Sequence, residues 1–352
     1  MRRLLAAAAL LVLVLVGGAA ATVAGIGPLA PRGAPASVVF VAISRSTDES
    51  DAPEIEAIDL AAGTRALFDA GERISALALS PDRRTLHVAR ADGHLVSLDA
   101  VTGTQFADLD LGRQPIAALV PSADGRLLSV LTVPDLRTTL TVIDLERRTA
   151  RTPLVLGKRP TGGAALRGGE LIVPFGDPFG LDVAFVDPAR GAVTATLTLP
   201  RGTLAPPLAV DLGADGVAVV GFEPSARASA GANVYLVRDA THWEAVSAAL
   251  PASLGGRPAG PGNPLLLGGG LQAASGPGTL HLCASGPGAR RYTVSASDRT
   301  VAVAGAECGP LAGGSDVVLA RRDPAQLLVL DGRSGRNTRT LPLAGVPARL
   351  AR

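Results

Sequence analysis

With 352 residues, 47% of them hydrophobic and 18% charged, the chain can build a sizeable core and lies outside the composition of disordered polymers. Aromatic residues are only 3%, so that core must come from Val, Leu, Ile and Ala. The formal net charge is +2, and Arg2 and Arg3 supply two positives; the remaining body is near neutral, without the clustered basic face that nucleic-acid binding requires.

The chain opens on "MRRLLAAAALLVLVLVGGAAATVAGIG". A basic start, an unbroken apolar run from Leu4 to Ala21 and the small residues Ala19, Ala20 and Ala21 are the parts of an export signal. The run is also long enough to serve as a membrane anchor. Residues 1–25 are therefore expected to be a signal peptide or N-terminal anchor, and either places the body outside the cytoplasm. No lipobox cysteine is present. "PLAPRGAPAS" makes 26–36 a short stiff linker, and the remaining 37–352 one domain.

Within that domain two markers recur in phase. The first is an apolar-Asp step closing an alternating run: Ile58-Asp59, Leu98-Asp99, Ile143-Asp144, Val186-Asp187 and Leu330-Asp331, with Val237-Arg238-Asp239 as a variant. The second is a Gly/Pro opening: "GRQPIAAL" at 112, "GKRPTGGAAL" at 157, "GTLAPPLAV" at 202, "GGRPAG" at 255, "CGPLAGG" at 308 and "GVPARLA" at 345. Both repeat every ~45 residues, and the long gap from Asp239 to Asp331 implies one degenerate unit between them.

One unit reads as four short antiparallel strands. In "RISALALSPDRRTLHVARADGHLVSLDAVTGTQFADLDL" (73–111), Ser75 to Leu79 alternates and Ser80-Pro81-Asp82-Arg83 turns. Leu86 to Ala89 follows, Asp92-Gly93 makes a hairpin, His94 to Leu98 is the third strand and Phe106 to Leu111 the fourth. Four strands at this period make a blade of a β-propeller.

"SPDRRTLHVARADGHLVSLDAVTG" and "PSADGRLLSVLTVPDLRTTLTVIDLERRTARTPLVLGKRP" resemble YVTN-type repeats of the lactonase-like and quinoprotein-dehydrogenase-like propellers. The resemblance is good over 73–160, fair over 160–250 and 310–345, and poor over 254–305. It implies an all-β, seven-bladed ring and says little about activity. Where a blade is assembled from both ends of the chain, "ARLAR" (348–352) is expected to supply its inner strand and residues 37 to about 72 the other three. That closes the ring and removes an open sheet edge.

Chemistry is sparse. His87, His94, His242 and His281 show no metal-binding spacing, and no Gly-x-Ser-x-Gly elbow occurs, so no catalytic, metal or cofactor residue is assigned. A lactonase- or hydrolase-like site at the ring mouth, drawing on Glu223, Arg227 or Arg321, stands as the alternative. A quinone-dependent dehydrogenase sits badly with Trp243 as the sole tryptophan. Cys283 and Cys308 are expected to pair as a disulfide in an oxidising compartment.

The loops expected on one face carry the candidate binding residues. Asp48, Glu49 and Asp51 lie in an acidic loop that either is simply solvated or gathers calcium or a basic partner. Glu223 and Arg227 lie in "FEPSARASAGAN", and Phe175 and Phe179 in "PFGDPFGLD". Each phenylalanine is either an exposed anchor or packing for the neighbouring blade. The sequence thus reads as a monomeric extracytoplasmic binding or scaffolding module for a protein or cell-envelope component. It is read as binding no nucleic acid and as touching the membrane only through the N-terminal segment.

Overall fold

The computed structural model describes residues 33–45, 52–203, 206–222, 232–247, 271–284, 291–297, 301–305, 311–314, 316–321 and 323–352. Ala34–Arg352 form one compact unit; of the preceding unit, Met1–Gly33, only Gly33 is described, so the leader and most of the linker lie outside the described residues. Among the described residues no helix is long and apolar enough to cross a membrane.

The chain folds into seven antiparallel sheets. Blade 2 shows the plan: Ile74–Leu79, Thr85–Arg90, His94–Asp99 and Gln105–Asp110 pair in chain order. Each expected strand of this unit lies within one residue of these bounds at its start, and the fourth stops one residue sooner. Blades 4, 5, 6 and 7 repeat the plan from Ala165, Leu208, Leu271 and Leu311. Blade 3 begins at Ile116, and its fourth strand is split into Thr149–Ala150 and Leu154–Gly157, both paired with Thr138–Asp144. Pro153 lies in the break, where its missing N–H costs no ladder bond.

The recurring aspartates explain themselves. Five of them end a third strand and accept backbone N–H groups of the turn that follows, and Asp239, two residues past the strand end Val237, accepts those of Thr241 and His242. Asp59 takes Ala61 and Ala62, Asp99 takes Val101 and Thr102, Asp187 takes Ala189 and Arg190, and Asp331 takes Ser334. This is the Asx bond that lets Asp nucleate a turn. On Asp59 and Asp331 the hydroxyls of Ser37 and Ser334 add to these bonds and hold the carboxyls below their ordinary range.

The core is not central. It is seven apolar wedges, one between each pair of neighbouring blades. Second and third strands are covered on both sides and read as continuous apolar runs; Val38–Ser44 is buried throughout. Fourth strands such as Gln105–Asp110 and Asn337–Pro342 lie at the rim and are mostly exposed.

The ring closes as the sequence implies. Val346–Ala351 pairs antiparallel with Val38–Ser44, with Phe40 opposite Ala351 and Ala42 opposite Arg349. It is the inner strand of blade 1, whose other strands are Val38–Ser44, Glu54–Asp59 and Arg65–Asp69. Arg349 Nε donates to the Ser75 carbonyl of blade 2 at 2.7 Å, and Arg352 Nη1 to the Asp316 carbonyl of blade 7 at 2.5 Å.

Candidate functional site

A four-strand blade sends its first-to-second and third-to-fourth turns to one face and its second-to-third loops to the other. Of the candidate residues, Phe175, Phe179 and Arg321 are described, and they lie at or beside second-to-third connections. Asp48, Glu49, Asp51, Glu223 and Arg227 fall outside the described residues. Arg321 ends the second strand of blade 7, and its Nη2 donates to Gln326 Oε1 at 2.5 Å.

The segment 174–182, read from sequence as a loop, is mostly strand: Glu170–Asp177 pairs with Gly180–Asp187 around a tight turn at Pro178 and Phe179. Phe175 and Phe179 are only four residues apart but part company there. Phe175 is 5% exposed and belongs to the wedge between blades 3 and 4, so of its two readings packing is the one realised. Phe179 is 92% exposed at the turn's tip.

That tip is held from several sides. Asp177 Oδ1 accepts the N–H groups of Phe179 and Gly180 at 2.9 and 3.0 Å. The Asp177 carbonyl accepts the N–H of Thr203 at 2.7 Å. Arg159, from the connection into blade 4, donates to Asp177 at 3.1 Å and Asp182 at 2.8 Å. Its guanidinium lies so close to Gly180 that a Cβ there would meet Nη1 at 2.6 Å. These bonds join three separate stretches of chain, so the turn is braced and its side chain is presented in one place. In blade 3 the corresponding loop, Pro134–Leu136, presents Leu136 at 53% exposed.

The four histidines are scattered. His94 Nδ1 lies 2.7 Å from Asp108 Oδ1 at the rim, which raises its pKa above the ordinary value. His242 sits on the Asp239 turn. His281 is fully buried, and its Nε2 bonds to the Gly332 carbonyl of blade 7 at 2.8 Å. His87 is 2% exposed, and burial pushes its pKa down to about 4. Among the described residues no group of three or more His, Cys, Asp or Glu side chains could hold a metal ion. Cys283 is buried and disulfide-bonded; Cys308 lies outside the described residues.

Sequence reasoning missed one feature, a cleft between blades 2 and 3 over His87.

These features define a seven-bladed β-propeller. No protein-family model and no curated protein matches the chain. Among solved structures it is similar to Kuenenia stuttgartiensis hydrazine synthase, at 15% identity and TM-score 0.57 over 91% of this chain and 100% of that one. It is similar to U3-55K at 11% identity and TM-score 0.58, covering 79% and 84%. A third likeness is the dihydro-heme d1 dehydrogenase NirN, at 13% identity and TM-score 0.56, covering 92% and 77%. At such identities the likeness is one of fold, and the neighbours span enzyme-related and WD40-type propellers.

Proposed function

We propose that this protein is an extracytoplasmic binding or scaffolding module that engages a protein or cell-envelope component through the face of its second-to-third loops. The observation that carries this reading is Phe179. A large apolar side chain is left almost fully in water on a turn that three stretches of chain hold still. A preorganised aromatic is the type of residue that anchors an interface, because little side-chain freedom is lost when it is covered. Leu136 on the neighbouring blade extends the apolar contact area on the same face.

The extracytoplasmic setting is supported by the basic start and apolar run of residues 1–25 and by the disulfide-bonded Cys283. The Ser-Pro-Asp turn at 80–82 and the Val-Ile-Asp strand end at 142–144 support placing the repeat with the YVTN-type propellers.

The test is a photo-cross-linking residue at position 179, compared with one at Phe106 on the blade 2 rim, in cells with an intact envelope. The expected result is a discrete adduct from position 179, lost on competition with unlabelled protein and not with Phe179→Ala protein. No adduct at 179, or equal adducts at both positions, overturns the reading.

A further inference from the structure

Blades 2 and 3 do not close tightly on one another. On the blade 2 side the cleft is lined by His87, Leu95 and Ser97, with the small Ala107 and Leu109 from the fourth strand. Blade 3 answers with Ile143 and Leu145, and what remains is a cleft of about 490 Å³, within the range of small-ligand sites. It opens among the first-to-second turns of both blades, on the face opposite Phe179, where Asp82, Asp124 and Arg126 line its rim.

His87 lines this cleft. Its Nδ1 lies 3.1 Å from the Oγ of Ser97, its cross-strand partner, while its buried Nε2 has no hydrogen-bond partner. A buried polar atom left unmatched costs on the order of 1–3 kcal/mol, so a native fold needs a reason for it.

The same molecule supplies the control. Counting from the residue paired with the end of the third strand, His87 and His281 hold the same place in their blades: Thr85 faces Asp99 and Thr279 faces Ser295. His281 spans its interface through Nε2, which bonds to the carbonyl of Gly332, the residue after the Asp331 marker of the next blade, although its Nδ1 is left without a partner. The residue after the Asp144 marker of blade 3 is Leu145, which lines the cleft and takes no bond from His87. Phe40 and Val318 occupy this place in blades 1 and 7 and are buried in the wedge beside them. Only in blade 2, among these, does the position stand over open volume.

We infer that the cleft between blades 2 and 3 is a binding site for a small uncharged organic molecule with an apolar body and a hydroxyl group, the hydroxyl bonding to His87 Nε2. The walls of Leu95, Leu109, Ile143 and Leu145, with half-exposed Phe106 at the mouth, take the apolar body. A hydroxyl satisfies Nε2 whichever tautomer the Ser97 contact sets, because it both donates and accepts. The imidazole is neutral at physiological pH. At the rim Asp82, Asp108, Asp124 and Glu146 outnumber Arg126 and Arg148, which disfavours an anion, while the deeper lining of His87, Ser97, Leu95 and Ile143 carries no formal charge to pair with a cation.

The test uses the full chain with 2-naphthol as probe and 2-naphthoate and 2-naphthylmethylamine as charged comparators. The imidazole nitrogens of His87 are followed by NMR. Saturable 2-naphthol binding at about a millimolar or tighter, with a shift at His87 Nε2, is the expected result. Affinity should fall at least tenfold in His87→Phe, which places in blade 2 the side chain blade 1 already holds there, and in Ala107→Phe, which fills the cleft from the rim strand. No saturable binding overturns the inference, and so does binding that survives both substitutions. Equal binding of the charged probes overturns the stated ligand class. Because the cleft lies on the face opposite Phe179, the cross-linking result and this one stand or fall separately.

Discussion

Glu56 and Ala344 meet across the seam of the ring: the buried Glu56 carboxylate accepts the Ala344 N–H at 2.8 Å, 288 positions away in the chain. Its other oxygen takes Arg65 Nη1 at 2.9 Å. The third strand of blade 1 therefore holds the connection that delivers the closing strand. Glu56→Ala leaves the Ala344 N–H and the partly buried Arg65 guanidinium without their acceptor, and the expected loss is about 1–3 kcal/mol in urea unfolding. Glu56→Gln keeps an acceptor for Ala344 and should lose clearly less. If both variants unfold at the same urea concentration as the parent, the seam is not held this way.

Deleting 346–352 removes the whole inner strand of blade 1 and exposes the edge of Val38–Ser44, which is buried along its full length. The melting temperature is expected to drop by on the order of 10 °C or more, with soluble aggregates in light scattering. An unchanged melting curve and a monodisperse sample would falsify the closure as a source of stability.

The ring was legible because its marker residues carry physics that spacing exposes. An aspartate that closes a turn through its own side chain cannot drift far along a strand without losing the bond, so Asp59, Asp99, Asp144, Asp187 and Asp331 kept their phase. Blade 6 was hard to read because Ser295 holds that position, paired with Thr279 as Asp99 is with Thr85. The segment 174–182 looked like a loop because Pro174 normally breaks a ladder. Here the adjacent first strand, Ala165–Arg167, pairs only with Glu170 to Ile172, so it makes no ladder bond that Pro174 could break. The cleft could not be read at all. It belongs to the fit between two blades, and no single repeat contains it.

The histidines should titrate in opposite directions. His94 is raised by its bond to Asp108, while His87 and His281 are lowered, chiefly by burial. For His87 burial pushes the folded pKa down to about 4, below the ordinary value of 6.5. Between these two pH values the unfolded chain binds a proton that the folded state does not. Stability therefore falls as the pH drops through that window, by on the order of 3 kcal/mol from this residue. His87→Phe should flatten this acid-side slope, measured as unfolding free energy at pH 7, 5.5 and 4. His94 has the opposite sign: its contribution is present below its unfolded pKa and fades as the pH rises through the raised folded value. Asp108→Asn should return the NMR midpoint of His94 towards 6.5; no movement means Asp108 is not the cause.

The two phenylalanines of blade 4 separate packing from presentation. Phe175→Ala empties part of the wedge between blades 3 and 4 and should cost about 3–5 kcal/mol. Phe179→Ala touches only solvent and should change stability by less than about 0.5 kcal/mol while losing the ability to compete away the position-179 adduct proposed above. Gly157→Ala tests the first half independently, because a Cβ there would meet the Phe175 ring at 2.3 Å. It should destabilise by about 1–3 kcal/mol, and less in a Phe175→Leu background where the ring is gone. Additive losses in the double variant would show that the two positions do not press on one another.

Cys283 gives the last separation, between a staple and a core residue. Its side chain lies in the wedge between blades 6 and 7 with Val317, Leu319, Leu328 and Leu330, and no cysteine is free among the described residues. Thiol titration of the denatured, unreduced protein is expected to find no free thiol, since Cys308 is the only other cysteine in the chain. Replacing Cys308 by Ala removes the cross-link and leaves the wedge intact, for an expected loss of about 2–4 kcal/mol. Cys283→Ala should lose the cross-link and also leave a small void, and Cys283→Ser should be the worst of the three because it buries a hydroxyl among aliphatic side chains. If Cys308→Ala and reduction of the parent leave the melting curve where it was, blade 6 is held by its wedges alone.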